Sequence, residues 1–136
     1  MAFSTTTKIH FDEADPAGVA FSGQLFTKMH RCYEGFISHM GISPQDFFLG
    51  EKWAYPLRAI DCEYFSPLLA LHEYDVEIQV LKISETSFKL GYSVKKQGKL
   101  CAKLNSVHVC INKSTGAKAE IPHSLKVGLE KHLLAE

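Results

Sequence analysis

The spacing of apolar residues along the chain changes period twice, and each change marks an element. Residues 5 to 11 alternate, with Ile9 and Phe11 on one side and Lys8 and His10 on the other, which predicts a strand with an inner and an outer face. From Phe21 the alternation stops. Phe21, Leu25, Met29, Tyr33, Phe36, Ile37 and Met40 recur at helical spacing, with Phe26 and Cys32 widening the apolar arc. The pattern predicts an amphipathic helix about twenty residues long, ended by Gly41 as a C-cap. So broad an apolar face must be covered by other structure.

A short turn started by Pro44 follows, and then period two returns. "WAYPLRAIDCEYF" (53–65) reads as a strand whose Pro56 suggests a sheet edge or a bulge. "YDVEIQVLKI" places Tyr74, Val76, Ile78 and Val80 inward against Asp75, Glu77 and Gln79. "FKLGYSVK" repeats the pattern with Phe88, Leu90, Tyr92 and Val94, and a Gln97-Gly98 turn leads into "LCAKLNSVHVCIN". Residues 124 to 135, carrying Leu125, Leu129 and Leu133, predict a terminal helix. One strand, one long helix and four strands at hairpin-length connections imply an α+β domain with an antiparallel sheet. With no repeat or linker in view, residues 1–136 are expected to form a single domain. A curved sheet wrapped around one central helix is the hotdog arrangement.

Composition narrows the function. Fifteen basic residues balance fifteen acidic ones, and the arginines are Arg31 and Arg58 alone. A nucleic-acid binder carries a basic excess, so none is expected as a partner. No run approaches the ~20 apolar residues of a membrane span, and the N-terminal residues lack the order of a secretory signal. Cys32, Cys62, Cys101 and Cys110 show no C-x-x-C spacing and lie in periodic apolar segments, which fits buried thiols and a reducing cytoplasm. The seven histidines lack metal-ligand spacing, and no G-x-S-x-G elbow occurs, so neither a metal nor a serine nucleophile is expected.

The chemistry concentrates in "DEADPAGVAFSG", between the first strand and the long helix. An Asp-Pro step initiates a turn by local bonding of the carboxylate to backbone amides, yet Asp15 is also placed to aim a carboxylate at a helix N-terminus. "DEADPAGVAFSGQLFTKMHRCYEGFISHMGIS" resembles the active-site loop and central helix of the 4-hydroxybenzoyl-CoA thioesterase family, hotdog acyl-CoA thioesterases. The D-x-x-G-x-x-[FY] core stands here as Asp15, Gly18 and Phe21. "EYFSPLLALHEYDVEIQV", "TSF" and "SVHVCINKSTGAKAEIP" are similar to later segments in the same order, so the resemblance runs over nearly the whole chain.

That resemblance implies hydrolysis of an acyl thioester carried by coenzyme A or an acyl carrier protein. It implies a homodimer or homotetramer with shared sites, and no cofactor beyond the coenzyme A of the substrate. Asp15 would attack the thioester carbonyl or activate water, while the backbone amide at Ser22 polarises the carbonyl oxygen and Gly18 opens the approach. An aspartate of ordinary pKa, about 3.9, is ionised at neutral pH without a partner base. Helix N-termini supply free N–H donors for a developing oxyanion. Phe21, His30 and Tyr55 match positions that line the acyl pocket, and Asp12 and Glu13 are expected as solvated loop charges. The chain departs from some relatives at Ser84-Glu85-Thr86, where they carry a basic run that contacts the coenzyme A phosphates. Two other readings stand beside hydrolysis: dehydration of a 3-hydroxyacyl thioester, with His30 as the histidine, and a non-catalytic acyl-binding or scaffold role.

Overall fold

A computed structural model describes residues 2–19 and 22–134, with only the backbone of Ser22; Phe21 lies outside the described residues. The elements are β1 (Phe3–Lys8), a 3-10 turn (Phe11–Glu13), α1 (Ser22–His39), α2 (Pro44–Leu49), β2 (Trp53–Ala54), β3 (Leu57–Tyr64), β4 (Glu73–Ile83), β5 (Ser87–Lys96), β6 (Lys99–Val109), β7 (Ile111–Asn112) and α3 (His123–Glu130). Five strands form one antiparallel sheet in the order β1-β4-β5-β6-β3, and β2 pairs with β7 in a small ribbon. This is the α+β hotdog architecture read from the pattern.

Period two puts one row of each long strand against the helix. Tyr74, Val76, Ile78 and Val80 of β4, and Phe88, Leu90, Tyr92 and Val94 of β5, are buried, as their alternation required. Across from them Leu25, Met29, Tyr33, Phe36 and Ile37 of α1 are at most 1% exposed, and Cys32 joins them. The helix ends as a Schellman motif at Gly41, whose φ of +82° suits glycine. There the Ile42 N–H donates to the Ile37 carbonyl at 3.3 Å and the Gly41 N–H to Ser38 at 3.0 Å.

Four expectations change in the structure. Phe11 does not face inward: the chain leaves the strand after Lys8 and coils into the 3-10 turn, leaving Phe11 79% exposed while Ile9 is fully buried. The Pro44 turn is a short helix, capped by Ser43 and burying Phe47. The 53–65 segment divides at Tyr55-Pro56 into β2 and β3, with a bulge between Leu57 and Ala59 at the sheet edge. The last helix stops at Glu130, because the chain beyond it joins the sheet. The Val80 N–H donates to the His132 carbonyl at 3.0 Å and the Leu134 N–H to the Val80 carbonyl at 2.8 Å. This tail takes up β4 where β1 stops pairing at Ile78, so Leu133 belongs to a bridge rather than a helix face.

Candidate active site

Asp15 sits half-buried on a tight turn between the 3-10 segment and α1. Its Oδ1 accepts from the Ala17 N–H at 2.9 Å and the Val19 N–H at 3.1 Å. Its own N–H donates to the Val19 carbonyl at 2.8 Å, and its carbonyl accepts from Gly18 at 2.9 Å. One carboxylate oxygen therefore holds the turn together. The other, Oδ2, has no hydrogen bond among the described residues. Gly18 has a φ of +77°, and a Cβ there would meet nothing within 4 Å. Glycine is needed for the backbone conformation, and the space above it is open.

Two anchors fix this turn in place. The Gly18 carbonyl accepts from the Ala70 N–H at 2.9 Å, Val19 bridges to Leu69, and the Leu71 N–H reaches the Ile9 carbonyl at 2.6 Å. Leu71 adopts a φ of +68°, rare for a bulky residue, to make that contact. The second anchor corrects the expectation for Glu13, which is 8% exposed rather than solvated. Its Oε1 accepts from the His10 N–H at 2.7 Å and pairs with Lys28 Nζ at 2.8 Å, and Lys28 is itself 3% exposed. Burial works to raise the Glu13 pKa, but the Lys28 ammonium and the His10 N–H outweigh it and hold the carboxyl below its ordinary value. Asp12 is exposed, as expected.

Ser22 opens α1, so its backbone amide is among the first-turn N–H groups that an α-helix leaves without an intrahelical acceptor. Asp15 and Gly18 lie on the turn that precedes α1 in the chain. His30 stands eight residues beyond Ser22, about 12 Å along the axis at 1.5 Å per residue. It is exposed, packs on Tyr33 and Phe48, and borders two cavities. One, of about 450 Å³, lies against Pro44 and Phe48. The other, of about 260 Å³, lies beneath α1 beside Met29, Leu57, Ile60, Tyr92, Ser106 and His108. Tyr55 stacks on Phe47 at 4.2 Å and approaches Phe88 at 6.3 Å, within the same aromatic cluster as His30. Burial raises its phenol pKa. Neither cavity is lined by Asp15 or Tyr55. Among the described residues, no group of three or more His, Cys, Asp or Glu is placed to hold a metal ion.

Sequence reasoning passed over a buried polar cluster. His108 lies stacked between Tyr33 at 4.6 Å and Phe88 at 5.1 Å, with Nε2 3.0 Å from Ser106 Oγ, and Ser106 Oγ lies 3.3 Å from Tyr92 Oη. Tyr33 Oη is buried without a hydrogen-bond partner among the described residues, while His108 Nδ1 makes no hydrogen bond of good geometry and has the Tyr55 backbone carbonyl near enough to favour a proton on the ring. The signal was present, since positions 102, 104, 106 and 108 share the inner face of β6 and the last two are Ser and His.

Comparison with known proteins gives this geometry a context. Residues 9–129 match the family model of the thioesterase-like superfamily. The chain belongs to that superfamily. A curated relative, the 1,4-dihydroxy-2-naphthoyl-CoA hydrolase of Microcystis aeruginosa (strain NIES-843 / IAM M-2473), is 30% identical over 118 residues, covering 87% of this chain and 86% of the relative. The Nostoc punctiforme (strain ATCC 29133 / PCC 73102) protein of the same name is 26% identical, covering 96% and 88%. The crystal structure of a 1,4-dihydroxy-2-naphthoyl-CoA thioesterase from Synechocystis superposes with a TM-score of 0.87 at 23% identity, over 95% and 96% of the two chains. These likenesses make the protein an acyl thioester hydrolase with a hotdog fold. They support the superfamily rather than its 4-hydroxybenzoyl-CoA branch, since the curated relatives are named for a naphthoyl thioester. No helix of the described residues is long and apolar enough to cross a membrane.

The thioesterase carries a built-in acid sensitivity. Burial pushes the His108 imidazole down to about 4, against the opposing pull of the Tyr55 carbonyl, and the nearby His30 lowers it further. The unfolded chain protonates this residue near 6.5, the folded chain only near 4. Between those values the unfolded state binds more protons, so stability falls as pH falls. The whole span corresponds to on the order of 3 kcal/mol, and the loss from Glu13 comes lower, as its carboxylate is protonated. We expect the urea midpoint to drop between pH 6.5 and 4, and His108→Phe to flatten that part of the profile. An unchanged slope in the variant would assign the loss to other groups.

Proposed function

We propose that the enzyme hydrolyses an aromatic acyl-CoA thioester, with Asp15 as the catalytic carboxylate. The observation that carries the reading is the state of that carboxylate: Oδ1 is committed to the Ala17 and Val19 amides, and Oδ2 is left for chemistry. Fixing one oxygen orients the other without a partner base, and pre-orientation of a reacting group lowers the barrier to attack. The thioester carbonyl sits at the start of α1, where the Ser22 amide and the helix dipole stabilise the developing oxyanion, a donor of the kind whose loss costs about 10²–10³ in rate. The open side of Gly18 admits the thioester. Asp15 either attacks the carbonyl carbon, breaking the C–S bond to release the coenzyme A thiolate and leave a mixed anhydride that water hydrolyses, or takes a proton from a water that attacks the carbonyl and displaces the same thiolate, which leaves with a proton as the thiol. As proposed, the reaction needs substrate, water and the chain's own groups, with no metal or added cofactor.

Phe21, His30 and Tyr55 are assigned to the acyl pocket. The names of the curated relatives support an aromatic acyl group on coenzyme A in preference to one on a carrier protein; a hydroxybenzoyl group is the narrower form of the same proposal. At the β4–β5 turn the acidic Glu85 offers no phosphate contact, and Lys95 and Lys96 are engaged with Glu77 and Glu73. The coenzyme therefore lies elsewhere on the surface or against a partner subunit. The proposal includes a homodimer or homotetramer with shared sites: β3 is a sheet edge whose Leu57, Ile60 and Tyr64 are exposed, and an unprotected apolar edge invites pairing. A cytoplasmic location belongs to the same reading, since Cys32, Cys62, Cys101 and Cys110 are all free thiols.

A panel of aromatic and alkyl acyl-CoA esters, followed with a thiol reagent, tests the substrate class. We expect the highest kcat/KM on an aromatic ester; faster turnover of alkyl esters across the panel would reject the aromatic assignment. Sedimentation of the active enzyme at micromolar concentration should give a dimer or larger species, and an active monomer would refute the shared site.

A further inference from the structure

The segment from Ile9 to Val19 carries Asp15, and it is tied to its two neighbours unequally. To the loop before β4 it makes three backbone bonds: Ile9 N–H to the His72 carbonyl at 3.1 Å, Leu71 N–H to the Ile9 carbonyl at 2.6 Å, and Ala70 N–H to the Gly18 carbonyl at 2.9 Å. To α1 it has a single polar link. Among the described residues, the Glu13–Lys28 pair at 2.8 Å is the only hydrogen bond or ion pair that joins residues 9–19 to the helix. Both partners are buried, with Lys28 on the flank of α1 that also carries the core residues Leu25 and Cys32. Stability is a poor reason for such a pair. Desolvation of two charges offsets most of their attraction, and apolar replacements of similar size are often neutral or stabilising. A buried pair of this kind does fix the register of one element against another.

The places of the two residues in the chain give that register a use. Glu13 stands two residues before Asp15. Hydrogen bonds from Glu13 to His10, Ala14 to Phe11, Gly18 to Asp15, and from Ala17 and Val19 to Asp15 Oδ1 run without a gap along this stretch. A displacement of Glu13 therefore carries Asp15 with it. Lys28 stands six residues after Ser22 on the same helix, about 9 Å along the axis, so it moves as one body with the Ser22 amide. The reaction proposed above needs the Asp15 carboxylate and that amide to act on one carbonyl, and so to keep a constant separation. A misplacement of about 1 Å between reacting groups costs up to about 10²-fold in rate.

We propose that Lys28 and Glu13 are positioning residues for the hydrolysis: their ion pair locks the Asp15 turn to the helix that carries the Ser22 amide. The inference rests on the reading of Asp15 as the catalytic carboxylate. Both residues act through the backbone rather than on the substrate. Their side chains are covered, and Glu13 Oε1 is occupied by the Lys28 ammonium and the His10 N–H.

The test measures kcat, KM and thermal midpoint for the double variant Glu13→Gln/Lys28→Met, for Glu13→Gln and for Lys28→Arg, beside wild type and Asp15→Asn. The substrate is the acyl-CoA of the panel that the wild type hydrolyses fastest. Glutamine keeps an acceptor for the His10 N–H and methionine fills the space of the lysine stem, so the double variant removes both charges and leaves neither buried alone. We expect its midpoint to stay within about 4 °C of wild type. Its kcat should fall about tenfold or more while KM changes by less than about threefold, the pattern of lost transition-state geometry rather than lost binding. Lys28→Arg keeps the ion pair and should hold kcat within about threefold of wild type. If the double variant does not fold, Glu13→Gln alone decides by the same split between kcat and KM. Three results overturn the inference while an inactive Asp15→Asn leaves the catalytic reading standing: kcat near wild type in the folded variant, a raised KM in place of the lowered kcat, or a loss that vanishes once rates are referred to the folded fraction. A loss in folded Lys28→Arg equal to that of the double variant also overturns it. Asp15→Asn that keeps more than about a tenth of turnover overturns the catalytic reading, and this inference with it.

Discussion

Leu25, Met29, Tyr33, Phe36 and Ile37 leave water together against the inner face of the sheet, and the position of the site follows from that burial. Each such side chain contributes roughly 1.5–3 kcal/mol, so sliding or rotating α1 would cost more than any single polar contact restores. With the helix fixed, its first turn is fixed as well. The chain between β1 and α1 then spans a set distance, and the Asp15 turn occupies it. The Lys28–Glu13 pair secures the front of that segment to the helix. A buried pair of this kind is costly to break from one side, because the partner's charge remains desolvated. The loop before β4 secures the rear through Gly18, Val19 and Ile9.

Most of the fold was legible because period two and period 3.6 are enforced by burial. β4, β5 and the inner face of α1 follow the pattern residue by residue, and Gly41 ends the helix with the motif that its position suggests. What was misread lay where local pattern and tertiary pairing compete. Phe11 continues the alternation of β1, yet β4 offers β1 no partner beyond Glu73, and the backbone turns away. Leu133 keeps helical spacing from Leu129, yet the free stretch of β4 at Val80 captures the chain.

The site divides along the same line. Asp15 and Gly18 were readable because a turn before a helix is a local event, carried by side-chain bonds two and four residues away. Glu13 and the Ser106–His108 cluster were not, since an acidic loop residue or a histidine in a strand acquires meaning only from its distant partner. Lys28 lies 33 residues from Asp61, the nearest acidic residue on the sheet, and 15 from Glu13 in the chain. Its place on the apolar flank of the helix, three residues after Leu25 and four before Cys32, was nonetheless a sign that it faced inward. Inward polar residues on a core element are the feature that sequence reading should weigh more heavily.

The central claim is that one oxygen of Asp15 builds the turn and the other does the chemistry. Turnover and thermal midpoint of Asp15→Asn and Asp15→Ala, measured side by side, separate those duties. Asparagine keeps the acceptor for Ala17 and Val19 but is neither nucleophile nor base, so we expect it to abolish hydrolysis and leave the midpoint unchanged. Alanine loses both functions and should also be less stable by about 1 kcal/mol, the usual loss for removing such a backbone-capping side chain. Asp15→Asn retaining more than about a tenth of wild-type turnover, a far smaller loss than removal of a reacting group brings, would show that Asp15 is a turn residue and that the catalytic carboxylate lies elsewhere.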